Sequence, residues 1–290
     1  MAATPSSRCV LAAGPWRTVL EAMCARFPRI AGGEWQRRFA AGRVFGEDGT
    51  PYAVDSPFRA GLVVNYTREV ACEPEVPGDV VIVHADARLV VADKPPGLPV
   101  MPTGPWVRQT LQYRVLEALG LQHATPLHRI DRDTAGLVLL SVDPGSRPRY
   151  QALFRDRAVR KRYEALAPPI DDGGAWPRVR RSRLVRGEPF FRMQEADGPV
   201  NSETWIDVAG REHTVWRYLL EPVTGRKHQL RVHMAALGAP LFGDALYPTP
   251  RPGAGPLALL ARSLEFIDPV DGSARHFVSG RDLRPPGSRT

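Results

Sequence analysis

The sequence predicts an α+β fold: a mixed, largely antiparallel sheet with flanking helices, preceded by a small α/β module. Three observations lead there. Beyond about residue 80, strand-like and helix-like runs alternate irregularly, with no regular βαβ repeat and no repeat of solenoid length. Ahead of that region two short helical patterns and two strand-like runs stand apart, closed off by a Pro-, Gly- and acid-rich stretch. The chain, at 290 residues and 43% hydrophobic, is long enough to bury one large core with a small companion.

Taken in order, residues 1–14 read as a disordered leader, too polar and too weakly apolar for a signal peptide. The module spans 15–76. In WRTVLEAMCARF, Trp16, Val19, Leu20, Met23 and Phe27 recur at helical spacing, and GEWQRRFAAG predicts a second helix stopping at Gly42. RVFGEDGTPYAV and AGLVVNYTREV then read as strands around a Gly-Asp-Gly turn region. CEPEVPGD (72–79) is a linker. The main domain, 80–280, opens with strands VVIVH and LVVAD split by an Asp-Ala-Arg turn. Residues 281–290, rich in Pro and Arg, read as a disordered tail.

Composition narrows the function classes. No run of about 18 apolar residues offers a membrane span. Cys9, Cys24 and Cys72 form no CxxC unit and read as free thiols in a reducing cytoplasm. The seven histidines make no HExxH pattern, so no metal site is expected. The net charge of +8 is concentrated. Segment 147–162 has seven basic residues against one acidic, and RVRRSRLVR (178–186) has five arginines and no acid. Such blocks suit phosphate neutralisation, which makes Arg160, Lys161, Arg180, Arg181 and Arg183 candidate RNA-backbone contacts.

The most informative segment is PLHRIDRDTAGLVLLS (126–141), where a polar burst from His128 to Thr134 runs into a core-type strand. Polar groups pressed against a core must be hydrogen-bonded. By itself the burst reads as a charged turn capped by Asp131 and Asp133. HRIDRDTAGL, however, resembles the signature of the RluA branch of pseudouridine synthases. KRYEALA (161–167), TGRKHQLRVH followed by GAPLFGD (224–244), VADKPPGLPV (91–100) and LALLARSLEF (257–266) resemble further blocks of that family in order, so the likeness runs from about 80 to 277. Isoleucine at 130, alanine at 135 and Leu260 in place of a usual histidine depart from the pattern.

That resemblance implies a pseudouridine-synthase-like sheet, and in front of it a module loosely similar to a small ribosomal-protein RNA-binding domain. It implies Asp131 as the catalytic carboxylate, Tyr163 as an active-site tyrosine and Arg231 as the arginine that pairs with Asp131. Arg129, Thr134, Arg226, His228 and Leu259 follow as substrate-binding candidates. The implied reaction breaks the C1′–N1 bond of a uridine in structured rRNA or tRNA, turns the uracil and joins C5 to C1′. It imports no group, so no cofactor is expected, and no protein partner is implied beyond a monomer. Two other readings compete. One is a non-catalytic RNA-binding protein or chaperone on the same fold. The other is a glycosidase using Asp131 and Asp133, two residues apart, although paired glycosidase acids flank a substrate slot of about 5–9 Å.

Overall fold

The computed structural model describes residues 6–67, 72–251, 253 and 255–285. They form two compact units, one of residues up to Pro74 with Pro102–Arg108, the other of Glu75–Met101 and the residues from Gln109 onward.

In the first unit, β1 (Ser6–Val10), α1 (Val19–Arg26), α2 (Gly32–Ala40), β2 (Val44–Phe45) and β3 (Val63–Thr67) follow in order. The three strands pair antiparallel in the order β1-β3-β2. Helix α1 starts where Thr18 accepts the Glu21 amide at 3.1 Å, and Glu21 reaches back to the Arg17 amide at 2.7 Å. The periodicity began at Trp16, but that ring lies ahead of the helix and meets Phe58 edge-on. Val19, Ala22, Met23, Trp35, Phe39, Val64 and Tyr66 make the core.

Two expectations need correction here. Ser6–Val10, assigned to a disordered leader, is a strand: the weak apolar run around Cys9 and Val10 pairs with β3, and Leu11 is buried behind it. The strand expected through PYAV is absent apart from a bridge between Phe45 and Pro51, because proline brings no N–H to a ladder. Residues 68–70 of the other expected strand lie outside the described residues. Pro102–Arg108 was not foreseen in this unit; the Glu73 carboxylate accepts the amides of Val107 (2.9 Å) and Arg108 (2.8 Å).

The second unit contains β4 (Val81–Ala85), β5 (Leu89–Lys94), α3 (Leu111–Leu119), β6 (Thr125–Pro126), β7 (Ala135–Ser141), α4 (Arg147–Arg155) and β8 (Arg160–Ala167). It continues with β9 (Arg178–Arg186), β10 (Met193–Ala196), β11 (Ser202–Arg211), β12 (Trp216–Pro222), α5 (Gln229–Ala236), β13 (Leu259–Ile267) and β14 (Ala274–Val278). Among the described residues these strands build an eleven-stranded sheet in the order β10-β9-β11-β12-β8-β13-β7-β5-β4, with β6 added to β7 and β14 to β13. Every ladder is antiparallel except β13 with β7. The mixed, largely antiparallel sheet is the one the sequence predicts.

Burial explains the pattern. Strands β5 and β7 are buried along their whole length, with apolar runs at 89–92 and 135–140 followed by the buried polar Asp93, Lys94 and Ser141, whereas β4 alternates. At the parallel β7–β13 junction Gly136 has φ +112, and a Cβ there would stand 2.3 Å from the Ala261 carbonyl oxygen. Only glycine allows that approach, which anchors the segment just after Asp131 onto the centre of the sheet. The expected disordered tail begins instead with an anchored residue: Arg281 Nε donates to Asp93 Oδ1 at 3.0 Å. Residues 286–290 lie outside the described residues. No helix among the described residues is long and apolar enough to cross a membrane.

Candidate active site

The loop 128–134 enters the core held from both sides. His128 Nε2 accepts the Leu139 amide at 3.1 Å, and its ring stacks on Phe154 at 4.7 Å. Burial pushes its pKa down to about 3, so this imidazole is neutral. The buried Lys94 Nζ donates to the Arg132 carbonyl at 2.8 Å and the Pro95 carbonyl at 3.0 Å. Burial lowers its pKa to about 7, with the nearby Asp133 and Asp131 working against that shift. Ile130 and Thr134 are buried, and the Thr134 amide donates to the Asp131 carbonyl at 3.2 Å. The loop backbone is thereby fixed while the Asp131 side chain, 22% exposed, faces a cavity.

Helix α5 supplies the carboxylate's partners. Arg231 Nη1 donates to Asp131 Oδ2 at 3.3 Å. Its stronger partner is Asp244: Nε and Nη2 reach the two carboxylate oxygens at 2.8 and 2.6 Å, a bidentate geometry that fixes the guanidinium plane. Burial alone would lower the Arg231 pKa, but Asp244 and then Asp131 outweigh it and raise it. Asp244 Oδ1 also accepts the amides of Leu246 (2.8 Å) and Tyr247 (3.0 Å). Sequence reasoning saw Gly243-Asp244 only as punctuation. The available signal was an acid thirteen residues beyond Arg231 within the same block of resemblance.

His228 precedes α5 with φ 54, a conformation costly for a residue with a Cβ. It and Arg157 (φ 58) are the non-glycine residues at positive φ among those described, and both line the cavity. Such strain concentrates at functional sites. The Met193 amide donates to Tyr247 Oη at 2.7 Å, leaving the Tyr247 hydroxyl proton for His228 Nδ1, also at 2.7 Å. This network assigns the imidazole proton to Nε2, which points at Asp131 Oδ1 from 3.9 Å. That is too long for a direct bond and leaves a donor turned toward the cavity. Burial brings the His228 pKa down to about 4, against the pull of Asp131.

Tyr163 on β8 and Leu259 at the start of β13 form the apolar wall, each nearly buried. Burial first, and then the Asp131 charge, raise the Tyr163 pKa, so its hydroxyl keeps its proton. The cavity measures about 430 Å³. Six basic side chains line it (Arg129, Arg155, Arg157, Lys161, Arg226 and Arg231) with a single carboxylate, Asp131.

The structure thus brings together Asp131, Tyr163, Arg231, Arg129, Thr134, Arg226, His228, Leu259 and Lys161. It does not gather the remaining basic candidates there. Arg160 forks onto Glu221 at 3.0 and 3.1 Å, Arg180 pairs with Glu195, Arg181 Nε meets Glu203 at 2.9 Å, and Arg183 donates to the Asp197 carbonyl at 2.8 Å. Asp133 pairs with Arg132 at 2.9 Å and does not line the cavity, which removes the geometry a two-aspartate glycosidase would need. Leu260 is fully buried, so the departure at that position fills the core. Among the described residues no group of three or more His, Cys, Asp or Glu could hold a metal ion.

Comparison with known proteins agrees with this arrangement. Residues 88–236 match the family described as RNA pseudouridylate synthase. An uncharacterized RNA pseudouridine synthase of Synechocystis sp. is 32% identical over 259 residues, spanning 80% of this chain and 83% of the relative. The dual-specificity RNA pseudouridine synthase RluA of Pasteurella multocida is 34% identical over 207 residues, 65% of this chain and 87% of that one. The structure of human RNA pseudouridylate synthase domain containing 1 shares the fold, with TM-score 0.58 at 23% identity over 72% of this chain and 86% of that one.

Proposed function

This chain belongs to the RNA pseudouridylate synthase family, and from that premise we propose that Asp131 carries the isomerisation of a uridine in structured ribosomal or transfer RNA. The observation that supports the assignment of Asp131 is the lone carboxylate facing a cavity otherwise ringed by cations. The reaction cleaves C1′–N1, rotates the freed uracil, forms C5–C1′ and releases the C5 proton while N1 takes one up, with no net oxidation or reduction. An aspartate beside the ribose serves it as nucleophile or as the base that takes a ribose proton.

The neighbours have separable tasks. Arg231, locked by Asp244, orients the carboxylate. Tyr163 offers a ring face to the uracil and a protonated hydroxyl for proton transfer. Tyr163 and Leu259 confine the detached base while it turns, which keeps the second bond-forming step intramolecular. A uridine reaches such a cavity only when flipped out of its stack, and the cations at the mouth suit the flanking phosphates. The free cysteines Cys9, Cys24 and Cys72 suit a reducing cytoplasm.

The test uses the full chain on transcribed RNA carrying C5-tritiated uridine, followed by carbodiimide mapping of pseudouridine in total RNA from a deletion strain and its parent. Tritium release, with a modified rRNA or tRNA position missing in the deletion strain, is the expected result. RNA binding with no tritium release would leave a non-catalytic RNA-binding protein.

A further inference from the structure

The turn between β9 and β10 carries two adjacent aromatic side chains with substantial solvent exposure. Phe190 is 65% exposed and Phe191 41%. Their rings meet edge to face with centroids 5.5 Å apart. Apolar rings gain nothing from exposure, so an adjacent exposed pair at one turn needs an explanation other than stability.

The turn is braced. Its ends close through the Gly187 amide to the Arg192 carbonyl at 3.2 Å, and the Arg192 amide reaches the Pro189 carbonyl at 2.8 Å. Two further contacts staple it to the segments that build the cavity. Lys227 Nζ donates to the Phe191 carbonyl at 2.7 Å, and Lys227 sits between the cavity residues Arg226 and His228. Arg192 Nη2 donates to the Pro248 carbonyl at 2.6 Å, while its guanidinium lies over the Tyr247 ring at 5.1 Å. Tyr247 in turn holds both Met193, where β10 starts, and His228. The aromatic tip is therefore mechanically continuous with the residues facing Asp131.

The flanking charge is basic: Arg186, Arg192 and Lys227 stand against Glu188. Flat apolar faces set among cations are the recognition chemistry of single-stranded nucleic acid, in which bases stack on rings and phosphates meet Arg and Lys. A protein partner needs about 800 Å² per side, far more than two phenyl rings provide.

We propose that Phe190 and Phe191 form a stacking tip that holds an unpaired nucleobase of the RNA next to the uridine entering the cavity. This rests on the reading of the cavity as a uridine site and extends it to a neighbouring nucleotide. Stacking of this kind tolerates any base, so the tip adds affinity and register without base identity.

The experiment uses the full chain and a short single-stranded oligouridylate, plain or with one fluorescent aminopurine. Wild-type protein quenches the aminopurine. Phe190→Ala with Phe191→Ala abolishes the quench and weakens binding at least about five-fold per ring, and Phe190→Trp with Phe191→Trp restores both. The slope of log affinity against log salt stays at the wild-type value, because no phosphate contact is removed. Wild-type affinity in the double-alanine variant would overturn the proposal. So would a flattened salt slope, which would assign the loss to displaced arginines. A dimer that the double-alanine variant dissociates, with unchanged RNA affinity, would give the tip to a second copy of the chain. Absence of tritium release by the wild type would overturn the uridine-site reading while leaving the stacking tip standing, since the tip is read by binding alone.

Discussion

The cavity wall and strand β9 are both rich in arginine, yet they dispose of their charge in opposite ways. On β9, Arg178, Arg180 and Arg181 hold Asp172, Glu195 and Glu203, and Arg183 holds a backbone carbonyl. Arg181 and Glu203 are direct cross-strand partners in the β9–β11 ladder, the arrangement in which opposite charges stabilise a sheet. Around the cavity the balance is reversed. Six basic residues line the walls with one carboxylate; beyond the lining, Asp244 is spent on Arg231 and Asp156 on Arg155. A run of arginines in sequence therefore does not by itself report local potential or phosphate binding. What decides is whether the fold delivers carboxylates to the same place.

The comparison is most sharply broken at the buried pair. Arg231→Ala strands Asp244 and Asp131, with an expected stability loss of about 3–5 kcal/mol and loss of turnover. Arg226→Ala, at an exposed residue bonded to the Asn201 carbonyl, should cost only a few-fold in KM. Urea unfolding and steady-state kinetics of both variants read the difference; equal losses would remove the distinction between floor and rim. Next in size is Tyr163→Phe, which keeps the ring and deletes the hydroxyl. A fall of roughly a hundred-fold or more in kcat with unchanged RNA affinity is expected. Wild-type kcat would restrict Tyr163 to stacking.

Three histidines link the two regions through pH. His128 and His228 flank the cavity, and His233 sits beneath β9 against Ser182, Ser202 and Thr204. Burial lowers their pKa values to about 3, 4 and 4. The unfolded chain protonates each near pH 6.5, so the stability they contribute is present above that pH and falls as the pH drops toward 4. The expected slope is up to about 1.4 kcal/mol per pH unit for each histidine, seen as a lower urea midpoint at pH 5 than at pH 7. A flat profile, or a midpoint that rises on acidification, would contradict the neutral assignments. The smallest expected effect is on β9. Replacing Arg180, Arg181 and Arg183 with glutamine should leave the salt slope of RNA binding near its wild-type value, because these groups already hold protein partners. A slope lowered by about 0.7–0.9 per residue would make them true phosphate contacts and dissolve the contrast.

Much of the site was legible before the fold. Asp131 and Arg231 lie 100 residues apart, and it was ordered resemblance across several blocks that joined them; no periodicity could. The alternation of strand and helix signals foresaw the mixed sheet, whereas the tight entry to β7 at Gly136 is visible only through its φ and its approach to Ala261. The misses share a physical cause, which is dependence on distant partners. Strand β1 exists because β3, more than fifty residues away, pairs with it. The neutralisation of β9 depends on acids from neighbouring segments. Asp244 looked like part of a turn because its ligand, Arg231, is on a helix whose orientation the sequence does not express.

The most direct test of the account compares Asp131→Asn with Asp133→Asn in single-turnover tritium release, with RNA affinity measured alongside. Both substitutions keep shape and remove one charge, but only Asp131 faces the cavity, while Asp133 is paired with Arg132 outside it. Asp131→Asn should fall below about a thousandth of wild-type turnover with affinity within a few-fold, and Asp133→Asn should remain active. Substantial turnover by Asp131→Asn, or loss of activity in Asp133→Asn instead, would contradict the assignment of the reaction to Asp131.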